Sequence, residues 1–322
     1  MYKQFFGLIR NPFEISPDPY FLFATARHNE ALASIIHGVL RHKGFIVLTG
    51  EVGTGKTLLV RCLLELLRRQ EIASANVFNP CLSPLEFLRY IAGDLGLKAA
   101  NQDKGTLLLE LNNYLIARYQ KNMTTVLIVD EAQHLEPELL EEIRLLTNLE
   151  TSQQKLLQIV LVGQPELDQK MDSPDLRQLK QRVSLRCQLG PLQEGETKSY
   201  IMRRLQRAGA NAHATTMFPL ETIAAVYHYS RGVPRLINTV CENALIATYA
   251  EKAQSVRPEV IDEVARDLRL NVLTRPLAPS PSVTAGQRAI AKSLLELVEA
   301  LERVSRSADV REASSEPGVK IV

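Results

Sequence analysis

A glycine-rich loop carries the residues with the most evident chemical potential. It reads Gly50-Glu51-Val52-Gly53-Thr54-Gly55-Lys56-Thr57 and is followed by Leu58. Its spacing, G-x-x-x-x-G-K-[ST] between an apolar run at 45–48 and a helical pattern at 58–67, is that of a loop whose backbone N–H groups cradle phosphate. Lys56 would reach the β- and γ-phosphates, the Thr57 hydroxyl would ligate Mg²⁺, and the positive end of the helix would add to the attraction. We therefore predict that residues 50–58 bind a nucleotide; a glycine-rich turn without function is the alternative.

Two acidic residues follow another apolar run. Asp130 and Glu131 come directly after residues 125–129, Thr-Val-Leu-Ile-Val, which is the composition of a strand buried on both faces. Asp130 would hold Mg²⁺ through water behind Thr57, and Glu131 would polarise a water molecule for attack on a γ-phosphate. An acidic loop after a strand is the alternative. The phosphate loop upstream favours the catalytic interpretation.

Two polar residues are predicted to approach the same nucleotide. Gln164 ends the next predicted strand, and ligands of open parallel sheets bind at the carboxyl ends of strands, so its amide could orient the attacking water. Arg235 begins a predicted helix, where a cation is unfavourable for the helix dipole unless an external anion such as phosphate lies nearby. For Gln164 the alternative is an ordinary turn residue before Pro165, and for Arg235 it is a surface arginine.

Arginines precede the last predicted strand. Arg177 and Arg182 lie in the segment Leu-Arg-Gln-Leu-Lys-Gln-Arg at 176–182. An arginine at this place could act on the nucleotide of a neighbouring subunit, and we assign that role to Arg182. A solvated basic helix face is the alternative.

Strands and helices that alternate along the chain must position these residues. Strands are predicted at 45–48, 75–78, 125–129, 156–162 and 183–189, and helices at 29–42, 58–67, 84–95, 106–119 and 136–149. Such alternation predicts an α/β fold with a parallel sheet. After residue 193 the pattern is helical, at 194–208, 219–229, 234–251 and 257–269. We predict a nucleotide-binding α/β domain over 1–192, with residues 1–44 packed on it, and a smaller all-helical lid over 193–271.

The remaining residues are predicted to form an appendage. Three prolines and several serines make 272–285 a linker, and the small polar residues of 307–322 are typical of a disordered tail. Between them, 286–306 is predicted to be an amphipathic helix, with an apolar seam formed by Ile290, Leu294, Leu297, Leu301 and Val304. We interpret this helix as a docking or pairing element; a helix folded back onto the lid is the alternative.

The composition indicates an ordinary soluble protein. Of the 322 residues 45% are hydrophobic and 23% charged, and the net charge of +2 is too small to argue for nucleic acid. Cys62, Cys81, Cys187 and Cys241 have no metal-binding or redox spacing, so we expect buried reduced thiols. The first residues lack the apolar core of a signal peptide, and no apolar stretch is long enough to span a membrane. A cytoplasmic location is the expectation.

Together these motifs resemble an AAA+ P-loop ATPase, and several stretches resemble the bacterial ExeA/GspA type of general secretion systems more narrowly. These stretches are Phe6-Gly7-Leu8, Asn11-Pro12-Phe13, Pro17-Asp18-Pro19, the loop with its preceding Gly44-Phe45, Asp130-Glu131-Ala132-Gln133 and Gly163-Gln164-Pro165-Glu166-Leu167. The resemblance spans about residues 1–270, and the same ATPase type is similar to transposon accessory ATPases that act on DNA.

The resemblance implies roles for particular residues. Lys56 and Thr57 would bind ATP and Mg²⁺, and Asp130 and Glu131 would serve hydrolysis. Gln164 and Arg235 would be the first and second sensors and Arg182 the arginine finger, whereas 11–13 would lie near adenine.

The resemblance also implies that the chain forms a homo-oligomer, for which a hexamer is one candidate. This oligomer would remodel or assemble a protein partner of a secretion or polysaccharide-export system. ExeA-like proteins continue into a membrane anchor and a peptidoglycan-binding module that these 322 residues do not contain, which favours polysaccharide export or action on DNA. A transposition-type accessory ATPase on DNA, or an ATP-dependent recruitment switch with little turnover, are the alternatives. A helicase with two tandem ATPase cores does not fit, because the chain has room for one.

Overall fold

A five-stranded sheet forms the centre of the molecule, which we describe from a computed structural model over residues 2–16, 18–78, 81–210 and 213–270. The strands are β1 (Phe45–Gly50), β2 (Ala73–Val77), β3 (Thr125–Val129), β4 (Leu157–Gly163) and β5 (Leu185–Leu189). Their order is β2-β3-β4-β1-β5, and all neighbours are parallel. The predicted linker over 272–285, the helix over 286–306 and the tail over 307–322 lie outside the described residues.

Thirteen α-helices accompany the sheet within the described residues. They are α1 (Tyr2–Phe5), α2 (Ala26–Leu40), α3 (Lys56–Arg69), α4 (Pro84–Asp94), α5 (Lys104–Gln120), α6 (Pro137–Leu146), α7 (Pro165–Met171), α8 (Arg177–Gln181), α9 (Glu194–Arg207), α10 (Ala214–Met217), α11 (Leu220–Ser230), α12 (Pro234–Ala250) and α13 (Pro258–Asp267). The sequence did not predict α1, α7, α8 and α10, because four to seven residues are too few to show a helical period.

The sheet separates two apolar layers. The side chains of Phe45 and Val47 face a cluster that includes residues of α4, α5 and α6, whereas Ile46 and Leu48 face a cluster with α2 and α3. Every residue of β1, β3 and β4 is buried, as the continuous apolar runs predicted. Because the strands are parallel and in register, with Thr49 opposite Gly163, the segments that follow β1, β3 and β4 meet at one edge of the sheet.

The segment before α2 packs on the helices after residue 193, so the prediction for residues 1–44 was wrong in part. Helix α2 covers β1 and β5. We call helices α9–α13 the helical region. The apolar cluster of this region includes Phe6, Leu8, Phe13 and Phe21. Phe13, which the resemblance placed near adenine, is fully buried with its ring centroid 5.8 Å from that of Phe218. The aromatic side chains are therefore buried against α9–α13, whereas α2 and α3 cover the sheet.

A buried arginine fastens this N-terminal segment. Arg204 of α9 donates to the carbonyl oxygen of Pro12, and its Nη1 donates to the hydroxyl of Tyr200 at 2.7 Å. Its guanidinium also lies 4.7 Å from the ring centroid of Phe21. The first residues of the chain are thus an integral part of the helical region.

Two further expectations concern the surface and the thiols. None of the helices within the described residues has the length and apolar content needed to cross a membrane. None of the four cysteines, which all lie within the described residues, forms a disulfide. Cys241 is buried and Cys62 and Cys187 are half-buried, but Cys81 is exposed, so the expectation of buried thiols was wrong for Cys81.

Candidate functional site

The phosphate loop connects the central strand to α3. Strand β1 ends at Gly50, and Gly55, with a φ of 98°, precedes the first residue of α3, Lys56. No side chain caps the start of α3, so the N–H groups of its first turn remain available to an anion. Glu51 and Val52 are exposed at the tip of the loop.

The carbonyl oxygens of the loop are bound from several directions. The Lys56 ammonium donates to Gly50 O at 2.7 Å and to Glu51 O at 3.0 Å. The N–H of Arg235 donates to Gly53 O at 3.2 Å, and the buried ring of His28 lies with Nε2 3.1 Å from Thr54 O. With these acceptors engaged, the loop presents donors to a ligand.

Two glycines of the loop are required by neighbouring protein atoms. A Cβ at Gly50 would lie 2.8 Å from Leu189 O of β5, and one at Gly53, where φ is +81°, would lie 2.7 Å from the Cβ of Arg235. The sequence attributed the glycines to space for phosphate. The structure adds that β5 and the helical region approach the loop too closely for a side chain.

Lys56 is poised inside the site. Its side chain is buried, and this burial lowers the pKa of the ammonium while the nearby charges of Glu131 and Asp130 oppose the shift. The ammonium is held by loop carbonyls, from which it can turn toward phosphate oxygens. A phosphate bound at this place would therefore be attracted by a positive charge that water screens poorly.

Thr57 and Asp130 form the candidate magnesium site. The Thr57 hydroxyl donates to Asp130 Oδ2 at 3.2 Å, and the N–H of Glu131 donates to Asp130 Oδ1 at 2.9 Å. Asp130 is buried, which raises the pKa of its carboxyl group. A hydroxyl and a carboxylate that meet beside a phosphate loop are the hard oxygen ligands that Mg²⁺ takes together with substrate phosphates, so the residues fit this ion.

Glu131 is held in an unusual conformation. Its φ of 53° and ψ of 35° lie in the left-handed region, which costs a non-glycine residue about 1–3 kcal/mol and is typical of functional positions. Its Oε2 accepts from Gln133 Nε2 at 2.6 Å and from Gln164 Nε2 at 3.4 Å. Burial acts to raise the pKa of Glu131, but these amides and Lys56 outweigh it and lower the pKa below the usual value. The carboxylate is therefore ionised and able to accept a proton.

Gln164 directly precedes α7, and α7 is bound to the sheet by a side chain. Asp168 of α7 accepts from the hydroxyl of Thr49 at 2.8 Å and pairs with Arg186 of β5. The predicted residues Lys56, Thr57, Asp130, Glu131 and Gln164 are thus brought to one edge of the sheet. Leu58, the last residue of the predicted nucleotide-binding stretch 50–58, lies half-buried in the first turn of α3.

The two predicted arginines lie in different places. Arg235, the second residue of α12, touches the loop through its backbone, and its side chain is exposed. Arg182 precedes β5, whose Leu185 pairs with Ile46 at the start of β1, whereas Leu189 pairs with Gly50 at the loop. At about 3.3 Å per residue the four steps from 185 to 189 span roughly 13 Å. Arg182 is therefore at the opposite edge of the sheet from the loop of its own chain.

The sequence did not assign a role to two residues of the site. Gln133 joins Glu131 to the backbone of Gln164, and His28 holds Thr54 from α2. Gln133 stands two residues after Glu131, a spacing that could have drawn attention to it. His28 carried no signal, because its contact depends on how α2 packs against α3.

The chain has the AAA+ fold of P-loop NTPases, a parallel sheet followed by a helical region. Residues 39–171 match the family model of the AAA domain. The crystal structure of Cdc6p from Pyrobaculum aerophilum has a TM-score of 0.59 at 16% identity and covers 91% of this chain and 84% of that one. The Aeropyrum pernix ORC2 protein has a TM-score of 0.55 at 15% identity, covering 76% and 70% of the two chains. At these identities the likeness concerns the fold, and it confirms the predicted fold class.

Sequence relatives confirm the narrower resemblance. General secretion pathway protein A of Aeromonas hydrophila is 44% identical over 258 residues, which are 80% of this chain and 46% of that protein. Mu-like prophage FluMu DNA transposition protein B of Haemophilus influenzae is 34% identical over 122 residues, 38% of each chain. The chain spans less than half the length of these relatives.

Proposed function

We propose that the chain binds ATP with Mg²⁺ and hydrolyses it to ADP and phosphate. The observation that carries this proposal is the meeting of Lys56, Thr57 and Asp130 with the Glu131 carboxylate, which two side-chain amides hold beside the phosphate loop. A site that only binds nucleotide has no need of a positioned base.

The chemistry follows from these positions. Glu131 accepts a proton from a water molecule while the oxygen of that water bonds to the γ-phosphorus. The bond between the γ-phosphorus and the oxygen that bridges it to the β-phosphate breaks, and ADP leaves. Lys56 stabilises the charge on the β- and γ-oxygens, and Gln164 orients the water. Thr57 and Asp130 would hold Mg²⁺, which supplies further neutralisation of phosphate charge when bound.

Two substitutions separate binding from chemistry. Lys56→Ala removes the cation in contact with phosphate and should weaken ATP binding, as measured with a fluorescent ATP analogue. Glu131→Gln keeps the shape of the side chain and should bind ATP normally but lose about 10²-fold or more in turnover. Glu138→Gln, the same change at an exposed position of α6, is the control. Turnover of Glu131→Gln at the wild-type rate would contradict the role of Glu131.

We further propose that turnover serves an oligomer that remodels a protein complex of a secretion or export system in the cytoplasm. The support is the likeness to a protein named for the general secretion pathway. Size-exclusion chromatography with and without ATP, followed by co-purification from the host, tests the oligomer and its partner. A chain that stays monomeric at every nucleotide state would contradict the oligomer.

Action on DNA is a second candidate, favoured by the likeness to DNA transposition protein B. Fluorescence anisotropy of a labelled duplex, with the Glu131→Gln variant and ATP at two salt concentrations, tests it directly. ATP-dependent binding would favour this candidate, whereas unchanged anisotropy would favour a protein partner. ATP binding without measurable turnover would favour a recruitment switch instead.

A further inference from the structure

Gln133 uses both ends of one side-chain amide at the site. It lies in the short helical turn Ala132–His134 that follows β3 and Glu131. Its Nε2 donates to Glu131 Oε2 at 2.6 Å, and its Oε1 accepts from the backbone N–H of Gln164 at 3.0 Å. One planar group thus joins the ends of two neighbouring strands.

The turn that carries Gln133 is itself held in place. Lys170 of α7 donates to the carbonyl oxygens of Gln133 and Leu135. A Cβ at Gly163 would lie 3.0 Å from Gln133 Oε1, so the end of β4 is closely applied to the amide. Ala132 is fully buried beneath it. These contacts hold the backbone and the side chain of Gln133 in the arrangement in which its amide makes both hydrogen bonds.

The amide binds a single oxygen of the Glu131 carboxylate. Gln133 and Gln164 both donate to Oε2, and no hydrogen bond to Oε1 is found among the described residues. A glutamate has three rotatable side-chain bonds, and ordering such a side chain costs about 1.5–2 kcal/mol of conformational entropy. Two donors on Oε2 restrict that freedom and leave Oε1 to accept a proton from water.

We propose that Gln133 is a positioning residue, which holds Glu131 oriented for proton abstraction and fixes its place relative to Gln164. The inference rests on the proposed ATP hydrolysis. In this role Gln133 acts through its hydrogen bond to Glu131. Its loss should lower turnover without weakening ATP binding.

Two variants isolate the amide. Gln133→Leu removes both hydrogen bonds at similar volume, and Gln133→Glu keeps an acceptor for the Gln164 N–H but loses the donor to Glu131. We expect both to lower kcat by about 10- to 100-fold, with ATP affinity within about twofold of wild type. Gln153→Leu, at an exposed position of the loop before β4, is the control and should leave kcat unchanged.

A double-mutant cycle distinguishes positioning from general structural support. In the Glu131→Gln background Gln133→Leu should cost less than about twofold in the single-turnover rate, because the group that it positions is already gone. The same loss in both backgrounds, or an unchanged or increased kcat of both single variants, would overturn the inference. A wild-type chain that binds ATP without turnover would overturn the proposed hydrolysis, and the inference with it.

Discussion

The backbone N–H of Arg235, at the start of α12, donates to the carbonyl oxygen of Gly53 in the phosphate loop at 3.2 Å. The helical region is therefore in direct contact with the phosphate loop. The Cγ1 of Val233 lies 3.1 Å and the Cβ of Arg235 2.7 Å from where a Cβ of residue 53 would stand. Any change in the loop at Gly53 must move the start of α12.

Gly53→Ala should therefore weaken ATP binding by about tenfold or more. The added methyl group strikes Arg235, and a φ of +81° is strained for alanine. Isothermal titration with ATP measures the effect. Gly93→Ala is the matched control, because a Cβ at this position in α4 meets nothing within 4 Å and alanine is the better helix former. Equal affinities of the two variants would show that the contact with α12 does not shape the loop.

His28 gives a second handle on the loop. Its Nδ1 lies 2.8 Å from the hydroxyl of Thr25, and its Nε2 lies 3.1 Å from Thr54 O. A glutamine amide can reach the position of Nε2, whereas an asparagine amide reaches only that of Nδ1. His28→Asn should therefore weaken ATP binding several-fold more than His28→Gln, as measured by titration of a fluorescent ATP analogue.

The two His28 variants control for each other, because both remove a buried imidazole. Equal affinity of His28→Asn and His28→Gln, with matching melting temperatures, would contradict a role for the bond to Thr54. Wild-type affinity in both variants would contradict it as well.

Burial of His28 predicts a dependence of stability on pH. Desolvation lowers the pKa of the imidazole below its ordinary value of 6.5, although the Thr54 carbonyl and the charge of Glu196 act in the opposite direction. Below pH 6.5 the unfolded chain then binds more protons at this residue than the folded chain, so its contribution to the free energy of unfolding falls as the pH falls. The melting temperature of wild type should drop more steeply than that of His28→Gln between pH 7.5 and 5.5. Parallel curves would contradict this account.

The sequence was sufficient for the sheet and for the edge where the site forms. Strands β1, β3 and β4 are largely apolar runs, and Thr57, Asp130 and Gln164 each follow the end of one of them, so the parallel fold alone brings these three residues together. The position of residues 2–23 could not be obtained in this way. Their aromatic residues require burial, but which apolar surface buries them is decided by packing against α9–α13. The role of the Gln133 amide likewise could not be predicted, because it depends on the distances between residues that follow β3 and β4.

Arg182 should act on the nucleotide of a neighbouring subunit, if the proposed oligomer forms. Since β5 carries it to the far edge of the sheet, Arg182 cannot serve the loop of its own chain. Arg182→Ala and Glu131→Gln should each be inactive alone, and mixing them should restore part of the activity, because some interfaces then hold both intact residues. Arg177→Ala, mixed in the same way, shows which arginine is the finger. A specific activity that does not depend on protein concentration, in a protein that stays monomeric with ATP, would contradict a shared site.

Arg204 should be essential for attaching the N-terminal segment. Removing a buried guanidinium relieves a desolvation penalty of several kcal/mol, so an apolar replacement can stabilise a protein. Here the buried carbonyl of Pro12 would lose the donor bound to it, and Phe21 would lose the cation over its ring. An unsatisfied buried acceptor costs about 1–3 kcal/mol, and lost packing adds to it, so the destabilising effect should prevail.

We therefore expect Arg204→Met to lower the free energy of unfolding by about 2–4 kcal/mol in urea denaturation. Lys198→Met, at an exposed position of the same helix, should stay within about 0.5 kcal/mol of wild type. Limited proteolysis of Arg204→Met should also cleave near residues 12–21 before the sheet unfolds, since those residues lose their attachment to α9 first. A variant as stable as wild type, with the same cleavage pattern, would show that the aromatic residues alone hold the segment in place.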